Sequence, residues 1–169
     1  METRTLRSAA RQIFDAAVEA VDPAAAVRRH LVRDGNLLRV GGQTFDLATI
    51  RQVVVVGLGK AGASMTAAIE EIVGDRIARG VVVTKYGHVQ PTKTVRLNEA
   101  GHPVPDAAGM AGSQALLDCL AGLGPQDLVL VPISGGGSAL TPAPVAGISR
   151  EAIALTRAVI RGSTFSVPF

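Results

Sequence analysis

Val53-Val54-Val55-Val56-Gly57-Leu58-Gly59-Lys60-Ala61-Gly62-Ala63-Ser64-Met65 is the stretch that decides the fold. Four valines in a row favour extended backbone, and a strand apolar on both faces belongs in the middle of a covered sheet. Glycines then break the run, and Ala61–Val73 follows with helical character, stopped by Gly74. The spacing predicts strand, tight glycine turn, helix. The turn reads G-x-G-x-x-G, the letters of a dinucleotide fingerprint. Lys60 is the anomaly within it. A cation near a helix start opposes the macrodipole unless an anion joins it.

The same alternation continues outward. Gly80–Thr84 predicts a second strand, Thr94–Leu97 a third, and Asp127–Ile133 another strongly apolar one. Asp106 is expected to cap a helix reaching about Leu123, closed by Gly124-Pro125. Ser149 is expected to cap a last helix reaching about Arg161. Apolar strands separated by helices predict an α/β fold: a doubly wound (Rossmann-like), mostly parallel sheet with helices on both faces. In such sheets ligands bind at the carboxyl ends of the strands, so loops that follow strands share one rim. Upstream, Arg4–Val21 shows helical spacing of Leu6, Ile13, Phe14, Val18 and Val21. Asp22-Pro23 reads as N-cap and first residue of a second helix, running to about Arg33 with Arg28, Arg29 and Arg33 on a solvated face. Leu37–Leu47, with Gly41-Gly42 in the middle, reads as a β-hairpin.

Composition narrows the function. With 47% apolar and 18% charged residues in 169, the chain is core-forming and sized for one domain. There is no Trp and one Tyr, so stacking platforms for bases are lacking and nucleic acid is not an expected partner. The single Cys119 rules out a disulfide framework within the chain and points to a cytoplasmic setting. No apolar run approaches a membrane span, and the N-terminus carries acids unlike a signal peptide. A net charge of +3 suits small anionic substrates without naming one.

Two loops and one turn carry candidate chemistry. A dinucleotide site would need an acid at the end of the second strand, but that strand ends Thr84-Lys85. Asp75 has a suitable spacing yet precedes the strand. Lys85 could meet a 2′-phosphate, so an NADP site stays open at this stage. The second loop, Ile133-Ser134-Gly135-Gly136-Gly137-Ser138-Ala139-Leu140, offers five backbone N–H groups and two hydroxyls to an oxyanion. It is neither a Walker A loop nor a nucleophile elbow. Gly101-His102-Pro103-Val104-Pro105-Asp106 is a proline-stiffened turn that fixes His102 in front of a helix.

GLGKAG, GHPVPD and ISGGGSAL, in this order and on these elements, resemble the class II glycerate 2-kinases, often called hydroxypyruvate reductases. FDAAVEAVDP is similar to that family's start, and the likeness runs to about Gly162. The resemblance implies a Rossmann-like N-terminal domain over residues 1–162 and, in the family, a smaller C-terminal MOFRL domain across a cleft. It implies ATP-dependent phosphorylation of D-glycerate at its 2-hydroxyl, with ATP and Mg²⁺ or another divalent metal, and a homodimer for the full-length family. Carried over by motif, Lys60 is implied as catalytic. Gly57, Gly59, Ser134, Gly135, Gly136, Gly137 and Ser138 are implied as phosphate- and substrate-binding, and His102 as a substrate-site residue. No metal ligand is named. Residues 163–169 of the closing RGSTFSVPF depart from the family's continuation, and no MOFRL domain is recognised. Little kinase activity is therefore expected of this chain alone. An NAD(P)-dependent hydroxypyruvate reductase and a non-enzymatic phosphate- or nucleotide-binding fragment stand as the alternative readings.

Overall fold

The computed structural model describes residues 3–149 and 151–153. Two helices open the chain, α1 (Thr3–Ala20) and α2 (Pro23–His30). Three short strands follow, β1 (Leu31–Asp34), β2 (Leu37–Val40) and β3 (Gln43–Asp46), forming an antiparallel sheet in that order. The wound part contains β4 (Gln52–Leu58), α3 (Gly62–Val73), β5 (Ile77–Lys85), β6 (Val95–Ala100), α4 (Ala107–Leu120), β7 (Asp127–Leu130) and α5 (Gly137–Leu140).

The second sheet runs β6-β5-β4-β7, and all three pairings are parallel. Numbered by order in the chain, this is 3-2-1-4, the start of a doubly wound sheet. The order reverses between β4 and β7, so the switch point lies where the two glycine loops leave the sheet. The valine run accounts for both layers. Val53 and Val55 enter one core with Ile69 and Val73 of α3, while Val54 and Val56 enter another with Cys119 of α4. Period-two side chains bury both faces of β4, and Val53, Val54 and Val55 are fully enclosed.

Several boundaries move. The second helix does not reach Arg33: it stops at His30, and residues 31–34 form β1, paired with β2 from Leu31↔Val40 to Asp34↔Leu37. Leu31 is buried against Leu38 and Leu47, and that burial outweighs the helical continuation. Arg33 is accordingly no part of a solvated helical face. Its guanidinium donates to the Val73 carbonyl and to Asp75, both at 2.7 Å. Arg28 pairs with Glu71 at 2.6 Å. The predicted hairpin forms, but as two strands of three. The strand expected over Asp127–Ile133 ends at Leu130, because Pro132 has no N–H for the ladder, and pairing resumes only as a Leu58–Ile133 bridge.

Other expectations hold. Asp22 caps α2, accepting from the Ala25 N–H at 2.6 Å, and Asp106 caps α4 through the Gly109 N–H at 2.8 Å. Gly74 terminates α3 with φ of 54°. Ser149 Oγ accepts from Ala152 N–H, as an N-cap does; the expected course of that helix to Arg161 lies outside the described residues. Helix α1 forms as its spacing predicts, and its apolar stripe faces outward, with Ile13 at 72% and Phe14 at 66% exposure. Among the described residues no helix is long and apolar enough to cross a membrane.

Candidate functional site

The two glycine loops are laced together. At the end of β4, the Leu58 N–H donates to the Pro132 carbonyl at 3.1 Å, and the Ser134 N–H returns to the Leu58 carbonyl at 3.0 Å. The Lys60 N–H donates to the Gly135 carbonyl at 3.0 Å, and the Ala61 N–H to Ser134 Oγ at 2.9 Å. On the other side the Gly59 N–H reaches the Val83 carbonyl of β5 at 3.0 Å. The Gly62 N–H closes the turn on the Gly59 carbonyl at 3.0 Å. Every amide from Leu58 to Gly62 thus has a protein acceptor. This loop cannot cradle an anion with its own backbone, although its helix-start position suggests that it should.

The glycines of GLGKAG serve this lacing. A Cβ on Gly57 would lie 2.6 Å from both Cγ and the carbonyl oxygen of Pro132. One on Gly59 would overlap Oγ and the backbone of Ser134, and Gly59 also has φ of +122°, which side chains rarely adopt. Across the seam, a Cβ on Gly137 would overlap Leu58 Cδ1. The first loop is pressed so closely against the second that only glycine fits at the contacts. Lys60, the residue mounted between them, is exposed.

The second loop is bonded differently. Ser134 contributes its amide and an Oγ lone pair to the lacing, so one of the five amides expected to be free is already occupied. Gly136 takes a left-handed conformation (φ 98°, ψ −5°) and is the N-cap of the four-residue helix α5, a turn the sequence reading missed. The Ala139 and Leu140 N–H groups return to the Gly136 carbonyl. The amides of Gly135, Gly136 and Gly137 donate to no acceptor among the described residues, and Gly135 is exposed. Consecutive amides around a left-handed residue form an anion-binding concavity.

The third motif arrives at the same place. A Cβ on Gly136 would sit 3.0 Å from His102 Cδ2, 3.1 Å from His102 Nε2 and 3.3 Å from Lys60 Cγ. Lys60, His102 and Gly136, from three separate segments, therefore meet at one point on the carboxyl rim. His102 and Pro103 are joined by a cis peptide bond. The Asp106 carboxylate that ends the turn sits below the usual carboxylate range. Burial alone would raise it, but the Gly109 N–H, the Tyr86 hydroxyl and the Gly101 N–H outweigh that. Tyr86, donating to Asp106 Oδ2 at 2.8 Å, is raised above the ordinary phenol value by that bond, then by burial and nearby carboxylates. Nothing in the sequence pattern singled out Tyr86.

Asp75 is disposed of by position. It lies in the 3₁₀ turn Gly74–Arg76 at the amino end of β5, the opposite rim, and is paired with Arg33 at 2.7 Å. β5 itself ends without an acid, the Glu99 carboxylate of neighbouring β6 accepts from the Gly87 N–H at 2.6 Å, and the fingerprint amides are occupied, so a dinucleotide lacks its usual anchors. The donor set around Gly136, three amides with the Lys60 side chain passing beside them, fits a phosphate or carboxylate. Among the described residues no group of three or more His, Cys, Asp or Glu could hold a metal ion, so none is assigned to the chain's own side chains.

Comparison with known proteins agrees with the motifs. Residues 9–164 match the family described as a domain of unknown function, DUF4147. A glycerate kinase of Danio rerio is 40% identical over 161 residues, spanning 87% of this chain and 32% of its own length. A glycerate 2-kinase of Pyrococcus horikoshii is 37% identical, spanning 89% of this chain and 33% of its own. Among solved structures, a Pyrococcus horikoshii protein superposes with a TM-score of 0.81 and a Thermotoga maritima glycerate kinase with 0.74. Each is 35% identical and covers 95% of this chain and 36% of the other. The chain therefore spans about a third of the length of the relatives it matches. With the three motifs, the wound sheet and these likenesses in agreement, the chain belongs to the DUF4147 family of glycerate kinase relatives.

Proposed function

We propose that this chain carries the phosphate-binding part of a glycerate 2-kinase site, which transfers a phosphoryl group from ATP to the 2-hydroxyl of D-glycerate. The observation that carries this reading is the convergence of Lys60 and His102 on Gly136, beside three amides that have no acceptor among the described residues. Phosphoryl transfer asks a protein chiefly for positioning and for positive charge around the moving group. In this reading the Gly135–Gly137 amides and the Ser138 hydroxyl hold an anionic oxygen cluster. The Lys60 ammonium neutralises charge on it, and the His102 imidazole faces the hydroxy acid. Gly57, Gly59 and Ser134 act by holding Lys60 in place. Bound ATP supplies the phosphoryl group, and a divalent ion such as Mg²⁺ would travel with its phosphates.

Titration of the chain with inorganic phosphate, ADP and D-glycerate, followed by amide NMR, tests the reading. The Gly135–Gly137 amides are expected to move on addition of phosphate or ADP. Lys60→Met is expected to weaken that binding about tenfold, as loss of one charge-assisted contact would. Shifts confined to residues away from Gly136, or affinity unchanged by Lys60→Met, would sink it. A phosphotransfer assay with ATP and D-glycerate then addresses turnover separately from binding.

A further inference from the structure

We propose that Tyr86 is a positioning residue: its hydroxyl pins the Gly101–Asp106 turn and so keeps the His102 imidazole against Gly136 and Lys60. This rests on reading that cluster as the site. Asp106 needs one carboxylate oxygen to cap α4, and Oδ1 takes the Gly109 N–H at 2.8 Å. Oδ2 is then available to the Tyr86 hydroxyl, also at 2.8 Å. At its other end Tyr86 is held by the main chain, its N–H on the Ala100 carbonyl at 3.3 Å. The next residue, Gly87, donates to Glu99 at 2.6 Å.

The side chain of Tyr86 therefore bridges from the exit of β5 to the start of α4. The turn carrying His102 lies between the two tethers. The turn is itself closed: a Cβ on Gly101 would lie 2.7 Å from the Val104 carbonyl oxygen and 3.0 Å from Asp106 Cγ. A body this compact moves as a unit, so its anchor decides where His102 stands. The cap alone does not require Tyr86, since the Gly109 bond uses the other oxygen. The chain's one tyrosine, 52% exposed, contributes its hydroxyl to the placement of the turn rather than to the existence of α4.

Tyr86→Phe in the whole chain removes only the hydroxyl. The deciding measurement is the ¹H–¹⁵N spectrum of the histidine rings, with the His102 signals identified by their loss in His102→Gln. We expect the His102 ring signals to shift and broaden in Tyr86→Phe, with those of His30 unmoved. Arg28→Ala, which breaks a surface ion pair on α2, is expected to leave the His102 signals in place, separating placement from general loosening. Phosphate affinity should persist in Tyr86→Phe while D-glycerate affinity falls about fivefold, the loss of one hydrogen bond. If the unaltered chain binds neither phosphate nor D-glycerate, the kinase reading fails, yet the ring spectrum still decides the role of Tyr86. Identical His102 ring signals in Tyr86→Phe and the unaltered chain would overturn the proposal.

Discussion

The two glycine loops leave neighbouring parallel strands at the same rim, and they use their glycines for different ends. In Gly57–Gly62 the glycines make room. Gly57 and Gly59 let the chain lie against Pro132 and Ser134, and every amide from Leu58 to Gly62 is bonded within the protein. In Gly135–Gly137 the lacing takes the Gly135 carbonyl but none of the three amides. Gly135 has open space around it, Gly136 turns left-handed, and three amides have no described acceptor. The loop that resembles a phosphate binder by its letters is the mount. The loop that matches no standard fingerprint presents the donors. Whether a glycine loop binds an anion thus depends on what its amides already bond, which a spacing rule does not contain.

The strongest way to break this contrast is Gly59→Ala. It forces a side chain into φ of +122° and into the Ser134 backbone, and should destabilise by about 3 kcal/mol or more in urea denaturation. A change below about 1 kcal/mol would mean that the lacing is loose. Ser134→Ala comes next. It removes the acceptor of the Ala61 N–H in a part-buried setting and should cost about 1–2 kcal/mol, with the Ala61 amide showing faster hydrogen exchange.

Acid sharpens the comparison from the other side. The second loop leans on the start of α4, where a Cβ on Gly109 would lie 2.8 Å from the Leu140 carbonyl oxygen. Asp106, which caps that start, has a carboxylate lowered on folding, burial being outweighed by the Gly109 N–H, Tyr86 hydroxyl and Gly101 N–H. A lowered folded value means stability fully present above about pH 4 and lost as pH falls through the folded value. Between pH 5 and 3, thermal melting should show a fall that is smaller in Asp106→Asn, because the amide can still cap but does not titrate. Equal falls would remove Asp106 from the explanation. The smallest effect belongs to Gly135→Ala, which meets nothing within 4 Å. Its stability should stay within about 0.5 kcal/mol of the parent chain, where Gly59→Ala does not. A large loss there would make the two loops alike.

Much of the fold was readable because its signals are local. The valine strands, the Asp22 and Asp106 caps and the Gly74 stop each depend on a few adjacent residues. The misreadings fell where a distant partner decides. Residues 31–34 leave the helix to bury Leu31 against Leu38 and Leu47. Pro132 is the exception, cutting the last strand from within its own segment, and α5 starts at Gly136, which turns left-handed beside His102 and Lys60. Tyr86 gave no signal at all, since its partner Asp106 lies 20 residues away.

By itself, then, the sequence determined a wound α/β chain with Lys60, His102 and a triglycine loop at strand exits. Hydrophobic period and turn chemistry are written in neighbouring residues, and they suffice for that. Only the tertiary structure decided which amides are occupied. The acceptor of the Ala61 N–H is a hydroxyl 73 residues further on, and no local pattern encodes a bond of that span.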